Sequence, residues 1–432
     1  MLKGFNMNSN NQSVQFFNNL LFLKIFQTFR IAVHPKNLII AFLSLAIIWG
    51  CGRLLDLKPT VVTDKGGSTE LDIYLRNSEK LPDFISENKQ LGSYTGVFET
   101  VWKFLPIQFN SAVASVLQAD VLGFRYVLRI YIKAIQWAFL YHPFYAVIFA
   151  VLKLGVIAVG GGAICRIAAL HFAKGEKPGL FEAIRFSTRK FRPLFFAPLV
   201  PFGIILLFGI FISATGLLAN IPYAGSVALG ILMPLALLFG LLAATIAIGS
   251  AAGFGLMFPV IAFEGSDSFD SASRSFSYVF ARPWRMVFYG FTAIIYGLAC
   301  YLFVRFFAFL LLFITRGFLK ISIFADNSDK SANILNALWP DLSFTNFSSF
   351  PTPNTGNLSE SIAATLVSIN LLIVSGLVLS FLISFFFTAN TVIYALIRKQ
   401  VDGTDISDVY MHKEDTVVSA EFNPPMRMAD KD

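Results

Sequence analysis

Carboxylates are absent from six long apolar stretches of this 432-residue chain, at about 38–52, 144–165, 194–219, 227–262, 286–314 and 362–397. The only cations inside those windows are Lys153 and Arg305. Water does not tolerate that much contiguous apolar surface, whereas a bilayer core requires about 20 predominantly apolar residues per crossing. Charge is scarce throughout: 14% of residues are charged, against roughly 25% in soluble domains. Cysteine is scarcer. Cys51, Cys165 and Cys300 are an odd number, widely spaced, with no Cys-x-x-Cys pair, which excludes a paired thiolate metal or redox motif and leaves them as small packing residues. The four histidines, His34, His142, His171 and His412, have no metal-ligand spacing. Gly160-Gly161-Gly162 lacks the Lys-Ser/Thr of a phosphate loop. No catalytic residue, metal ligand or cofactor site is therefore assigned, and an enzyme is not expected.

Hydrophobicity is abundant. Apolar residues make up 56% of the chain before its 30 glycines are counted, and 48 residues are Phe. The net charge of +8 and pI near 9.3 arise from short basic segments that flank the apolar stretches. Those cations suit cytoplasmic loops and anionic lipid headgroups rather than nucleic acid. The fold class follows: an all-α polytopic bundle of about six transmembrane helices, with amphipathic helices lying in the interface.

Three regions are expected. Residues 1–37 form a cytoplasmic amphipathic arm, in which Phe16, Phe17, Leu20, Leu21, Phe26 and Phe29 interleave with Asn, Gln and Lys. Residues 38–397 form the transmembrane domain, beginning with an uncleaved first span because the apolar run starts too late for a signal peptide. It includes an extracytoplasmic or interfacial region at 53–142, where Arg125, Arg129 and Lys133 share a helical face, and a polar loop at 326–360. Residues 398–432 form a disordered, mixed-charge cytoplasmic tail. The fourth stretch is too long for one crossing and should break near Gly253, Gly255 and Pro259. The 166–192 loop carries seven cations, which places it and both termini on the cytoplasmic face of a bacterial inner membrane.

A basic residue and a proline precede four spans: His34-Pro35, His142-Pro143, Arg192-Pro193 and Arg282-Pro283. Two of these units are alike, FEAIRFSTRKFRPLFF at 181–196 and FDSASRSFSYVFARPWRMVF at 269–288. A flat amphipathic helix, held by cations on phosphates and rings in the acyl boundary, would end at the proline that starts the next helix. Arg185, Arg189, Arg192, Arg274 and Arg282 are the headgroup-binding candidates. The two segments resemble a pattern in uncharacterised bacterial multi-pass membrane proteins. Through Asp270, Ala272, Arg274 and Ser275 they also resemble the membrane domain attached to some glycerophosphodiester phosphodiesterases. That likeness covers about 40 residues and implies membrane architecture alone, since the catalytic barrel with its carboxylates and paired histidines is missing.

Within the spans, Lys153 and Arg305 are candidates because an intramembrane cation costs at least about 2.5–3.5 kcal/mol to insert; Arg305 could alternatively mark a membrane edge. Gly249 to Gly253 has G-x-x-x-G spacing for close helix approach. Ser361, Thr365, Ser368 and Ser375 share one face of the last span and serve either as helix glue or as a pore lining. These observations favour a structural, scaffolding or lipid-organising membrane protein. Its partners would be anionic lipid headgroups, and a membrane-protein partner or a second copy. A transporter or channel for an anionic or amphiphilic solute is the alternative. The chain is expected to sediment entirely with membranes from a detergent-free lysate and to resist extraction by alkaline carbonate; recovery in the soluble fraction would contradict the reading.

Overall fold

The structure is a computed structural model, and it describes residues 21–89, 93–323, 333–339, 344 and 358–411. A 3₁₀ turn at Leu21–Gln27 leads into α1 (Thr28–Ala32) and α2 (Pro35–Leu55). A small mixed segment follows: β1 (Val61–Val62), α3 (Glu70–Arg76), α4 (Leu81–Asn88) and β2 (Tyr94–Thr95). Then come α5 (Val97–Leu117), α6 (Val121–Tyr141), α7 (Pro143–Lys174), α8 (Leu180–Arg189), α9 (Phe191–Phe196) and α10 (Val200–Leu218). The chain continues through α11 (Ala224–Gly253), α12 (Met257–Glu264), α13 (Ser268–Ala281), α14 (Pro283–Ser322), α15 (Ile334–Leu338) and α16 (Leu358–Val401).

Six apolar helical segments are long enough to cross a membrane: Pro35–Leu55, Pro143–Lys174, Phe191–Leu218, Ala224–Glu264, Pro283–Ser322 and Leu358–Val401. The chain is a multi-pass membrane protein of helical class. Its outer surface agrees, since Leu206, Ile231, Leu237, Leu241 and Ile248 are all exposed, and such a surface is stable only against hydrocarbon. The fourth stretch breaks as expected: α11 ends at Gly253 and a 3₁₀ turn at Phe254–Leu256 precedes α12. Helix α14 runs unbroken for 40 residues, so residues 306–314 continue the helix that carries Arg305 rather than turning away from it. The four prolines stand in the first turn of a helix, as expected. Pro35, Pro143 and Pro283 each open one, where the missing N–H leaves no bond unmade, and Pro193 is the third residue of α9.

The chain divides into two compact units. One comprises residues 38–157 and 297–383; the other comprises 1–37, 158–296 and 384–432. In the first, β1 pairs antiparallel with β2, with Val61 opposite Thr95 and Val62 opposite Tyr94. The apolar core beside this hairpin is Val61, Leu71, Tyr74, Leu81, Val97, Ala134 and Trp137. Helix starts are capped by side chains. Thr69 and Asp72 form a reciprocal capping box on α3. The Asp56 carboxylate accepts the N–H groups of Phe98 at 3.0 Å and Glu99 at 2.7 Å, satisfying two orphan donors of α5. The hydrogen bond from Lys103 holds Glu99 below the usual carboxylate range. On α6, Arg125 and Arg129 are exposed while Val127, Ile130, Ala134 and Trp137 are buried, the amphipathic division expected.

The second unit is built on three fully buried helix ends: Ala163–Leu170 of α7, Met257–Phe263 of α12, and Thr391–Ile397 of α16. Small residues allow their close approach. A Cβ on Gly161 would fall 2.4 Å from the Phe387 ring, and one on Gly249 the same distance from the Phe276 ring. Both glycine groups are thus packing faces. The tail predicted to be disordered from residue 398 instead begins as a packed segment. The N–H of Tyr410 donates to the Phe263 carbonyl at 2.7 Å, and Ile406 and Val409 are buried. Apolar side chains spaced through 402–411 give this stretch a reason to fold back. Residues 412–432, the first 20 residues of the N-terminal arm and most of the 326–360 loop lie outside the described residues.

Trp137 is completely buried, and its indole N–H finds no acceptor among the described residues. Trp137→Ala is expected to destabilise by about 3–5 kcal/mol through cavity formation. Trp137→Phe should cost much less, because the polar group it removes is not hydrogen-bonded. Thermal midpoints of the two variants in detergent check this order.

Candidate lipid headgroup surface

The two repeated segments fold in the same way. In α8, Ala183, Phe186 and Ser187 are buried; in α13, Ser271, Ala272, Ser275, Tyr278 and Val279 are buried. Each follows the i, i+3, i+4 spacing of a one-sided helix. The shared Ala-x-Arg is read identically in both, with Ala183 and Ala272 buried and Arg185 and Arg274 exposed. The alanine faces the core because only a small side chain fits the close helix contact. Helix α9, which follows α8, packs against α13, so the elements that carry the two repeats are neighbours.

Arg185, Arg189, Arg192 and Arg282 are all exposed, and so is Arg285. Large rings accompany them. Phe181 and Trp284 are each 84% exposed, and Phe269 is 65% exposed. Guanidinium groups and unburied aromatic rings alternate along α8, α9 and the α13–α14 junction, the composition that anchors a protein at the headgroup level.

Arg274 departs from the other headgroup candidates. Its Nη1 lies 2.7 Å from Glu264 Oε2 and its Nε 3.0 Å from Asp270. The Asp270 hydrogen bond raises its pKa further. It is an exposed residue whose guanidinium is engaged by two carboxylates of its own chain. Glu264, at the end of α12, also accepts from Tyr394 and pairs with Arg398 Nε at 3.3 Å. Arg398 Nη1 then donates to the Asp408 carbonyl at 2.7 Å. Nearby, Tyr278 donates to Asp402, and burial pushes the Tyr278 phenol above its ordinary pKa. Arg166 Nη1 donates to the carbonyls of Ala262, at 3.0 Å, and Tyr410, at 2.8 Å, and its guanidinium lies 4.6 Å from the Phe186 ring. This network ties α7, α12, α13, α16 and the 402–411 segment together beneath the exposed basic side chains. Sequence reading missed Glu264 because it lies two residues beyond a window otherwise empty of charge. The Gly265 that follows, left-handed at φ +65°, was the available signal that a helix ends there.

The intramembrane candidates separate. Lys153 is exposed on α7 and makes no hydrogen bond or ion pair with any described residue. Arg305 is 1% exposed. Its guanidinium donates to the Phe344 carbonyl at 3.0 and 3.1 Å, to Tyr301 Oη at 2.9 Å and to Asn110 Oδ1 at 2.9 Å. Arg316, which sequence reading passed over, repeats the arrangement eleven residues on: it donates to the Trp339 carbonyl at 3.1 Å and Asn336 Oδ1 at 2.9 Å. An i, i+11 spacing returns to the same helix face, so both arginines fasten the segment between α14 and α16. On α16 itself, Thr365 is exposed with its hydroxyl bonded to the Ser361 carbonyl of its own helix, and Ser375 is buried.

Among the described residues, no group of three or more His, Cys, Asp or Glu could hold a metal ion. Comparison with family models, curated proteins and solved structures finds no match to this chain.

The Glu264 node generates a measurable contrast. Glu264→Ala takes from the largely buried Arg398 the nearer of its two carboxylates, leaving Asp408 Oδ2 at 3.5 Å, and removal of one partner of a buried pair costs up to about 3–5 kcal/mol. Asp270→Ala removes an exposed i, i+4 pair and should cost about 0.5 kcal/mol or less. Thermal unfolding in detergent should therefore show a large drop for the first variant and little change for the second.

Proposed function

We propose that the protein organises anionic lipid in a bacterial inner membrane, with its basic α8–α9 and α13–α14 elements on the cytoplasmic side. The carrying observation is the division of its arginines. Arg166, Arg305, Arg316 and Arg398 are buried and held by protein oxygens, whereas Arg185, Arg189, Arg192 and Arg282 stand exposed among exposed rings. A cation at an anionic membrane surface contributes about 1 kcal/mol. Four cations on neighbouring elements make a surface selective for phosphate headgroups, while the Glu264 network beneath keeps the supporting helices in register. The function is then mechanical and electrostatic: the buried network sets the position of the helices and the exposed arginines gather headgroups. The scaffolding role expected from the sequence fits the same surface, with a membrane-protein partner or a second copy joining through the gathered lipid.

Purification in mild detergent followed by native mass spectrometry tests this reading. Wild type is expected to retain anionic phospholipid in preference to phosphatidylcholine. The variant Arg185→Gln/Arg189→Gln/Arg192→Gln/Arg282→Gln should retain at least tenfold less with an unchanged thermal midpoint. Arg274→Gln should do the opposite, lowering the midpoint while keeping the lipid. Equal lipid retention by wild type and the fourfold variant would overturn the proposal.

A further inference from the structure

A pocket of about 420 Å³ opens beside the β1–β2 hairpin, within the unit formed by 38–157 and 297–383. Its polar end is a chain of three side chains that are distant in sequence. The Glu70 carboxylate, on α3, is 2% exposed. Its Oε1 accepts the Val62 N–H at 2.6 Å and its Oε2 lies 3.2 Å from His142 Nε2. The other imidazole nitrogen, Nδ1, lies 3.3 Å from Thr60 Oγ1. The Trp137 ring stands edge-on to the imidazole, 5.0 Å between centroids. Thr60 is exposed and faces the pocket with His142.

Hydrogen-bond chemistry sets the roles. A carboxylate only accepts, so Nε2 carries a proton in either state of the ring. In the neutral ring Nδ1 accepts from the Thr60 hydroxyl, and Thr60 offers the pocket only its oxygen as an acceptor. In the protonated ring Nδ1–H donates to Thr60, which turns the Thr60 O–H outward as a donor. One proton thus reverses the polarity of the hydroxyl and adds a positive charge behind it. The remaining ionisable groups that line the pocket are Lys89, Tyr94, Tyr141 and Tyr145; the nearby Asp56 carboxylate is bound to the N–H groups of Phe98 and Glu99. With the tyrosines neutral, Glu70 and Lys89 cancel, so the lining, Asp56 lying outside it, is neutral when His142 is neutral and gains one positive charge when it is protonated. The walls are apolar: Val62, Ile85 and Phe144. Phe144 is 85% exposed and is the second residue of α7, so the pocket lies where a membrane span begins. Its volume suits a head and the first part of one chain, within the usual range of about 300–1,000 Å³ for ligand sites.

We propose that this pocket binds the anionic head, carboxylate or phosphate, of a single-chain amphiphile, with uptake of a proton on His142. Thr60 and Lys89 hold the head, and Phe144 and Ile85 receive the chain. Affinity rises as pH falls, because protonation supplies both the donor and the charge that an anion needs. His142 couples the site to the bilayer because it joins α6 to α7 immediately before the proline that opens the span.

The test uses the full chain in phosphatidylcholine nanodiscs and a diazirine-tagged dodecyl sulfonate, whose charge is constant between pH 5.5 and 8. Adducts are mapped by peptide mass spectrometry. Labelling is expected at residues 141–145 and at least threefold stronger at pH 5.5 than at pH 8. Dodecanoate and a lysophosphatidate should compete, and their relative strength separates a carboxylate ligand from a phosphate one. His142→Gln, which keeps a hydrogen-bonding side chain without a titrating one, should abolish the pH dependence. Thr60→Val alters an exposed side chain and should weaken labelling at least threefold at pH 5.5 without loss of fold. Labelling that does not vary with pH in wild type, that persists unchanged in Thr60→Val, or that yields to dodecyltrimethylammonium would overturn the proposal. Competition by inorganic phosphate alone would overturn the amphiphile assignment.

Discussion

Hydrocarbon offers no hydrogen bonds, and the rest of this structure depends on that constraint. Every backbone group within the membrane must be satisfied inside its own helix, which is why the apolar stretches fold as long helices and why the breaks between them carry so much of the chemistry. Where a helix ends, carbonyls and N–H groups lose their partners, and the chain supplies them with side chains from elsewhere. Arg166 reaches the Ala262 carbonyl at the end of α12, and Lys190 the Gly265 carbonyl. Asp56 meets the start of α5, and Arg305 and Arg316 reach the carbonyls of Phe344 and Trp339. Several charges that look out of place in an apolar chain are thus the partners of backbone carbonyls and N–H groups outside or at the ends of helices.

This division explains how one residue type performs two tasks. Arginine presents five donors in a planar fork and stays charged. Turned inward it satisfies several carbonyls at once; turned outward it can meet an anion, as proposed for the headgroup surface. The repeated segments also differ in how their exposed arginines are engaged. In α13, Arg274 pairs with Glu264 and Asp270, while Arg282, just after the same helix, is exposed without a carboxylate partner among the described residues. In α8, by contrast, the residue at the Arg274 position, Arg185, is exposed and pairs with no carboxylate among the described residues. Two similar sequences thus acquire different electrostatic roles from their surroundings.

Much of the fold was legible because its signals are local. Apolar length announces a span, proline after a basic residue announces a helix start, and Gly253 with Gly255 announces the break in the fourth stretch. The amphipathic division of α6 and of α8 follows from side-chain spacing alone. The candidate sites were less legible. The exposed arginines of the repeated segments were visible in their pattern, yet Arg274 could not be told apart from Arg185, since its partner Glu264 is ten residues away across a turn. His142 was read as one of four scattered histidines; Glu70 lies 72 residues before it and Thr60 a further ten, and no spacing rule links them. The packing of 402–411 escaped notice because mixed charge resembles disorder when its buried partners, Phe263 and Arg398, are not in view.

By itself, then, the sequence determined the solvent. The mean hydropathy of +0.66 and the charge-free stretches commit the chain to hydrocarbon and to helices, since these are properties of composition and of contacts within a few residues. Tertiary structure decided which polar groups face one another. It paired Arg274 with Glu264, buried Glu70, and set Thr60, His142 and Glu70 in line on one pocket. Such pairings join residues tens to hundreds of positions apart, and only the packing of one helix against another brings them within hydrogen-bond distance.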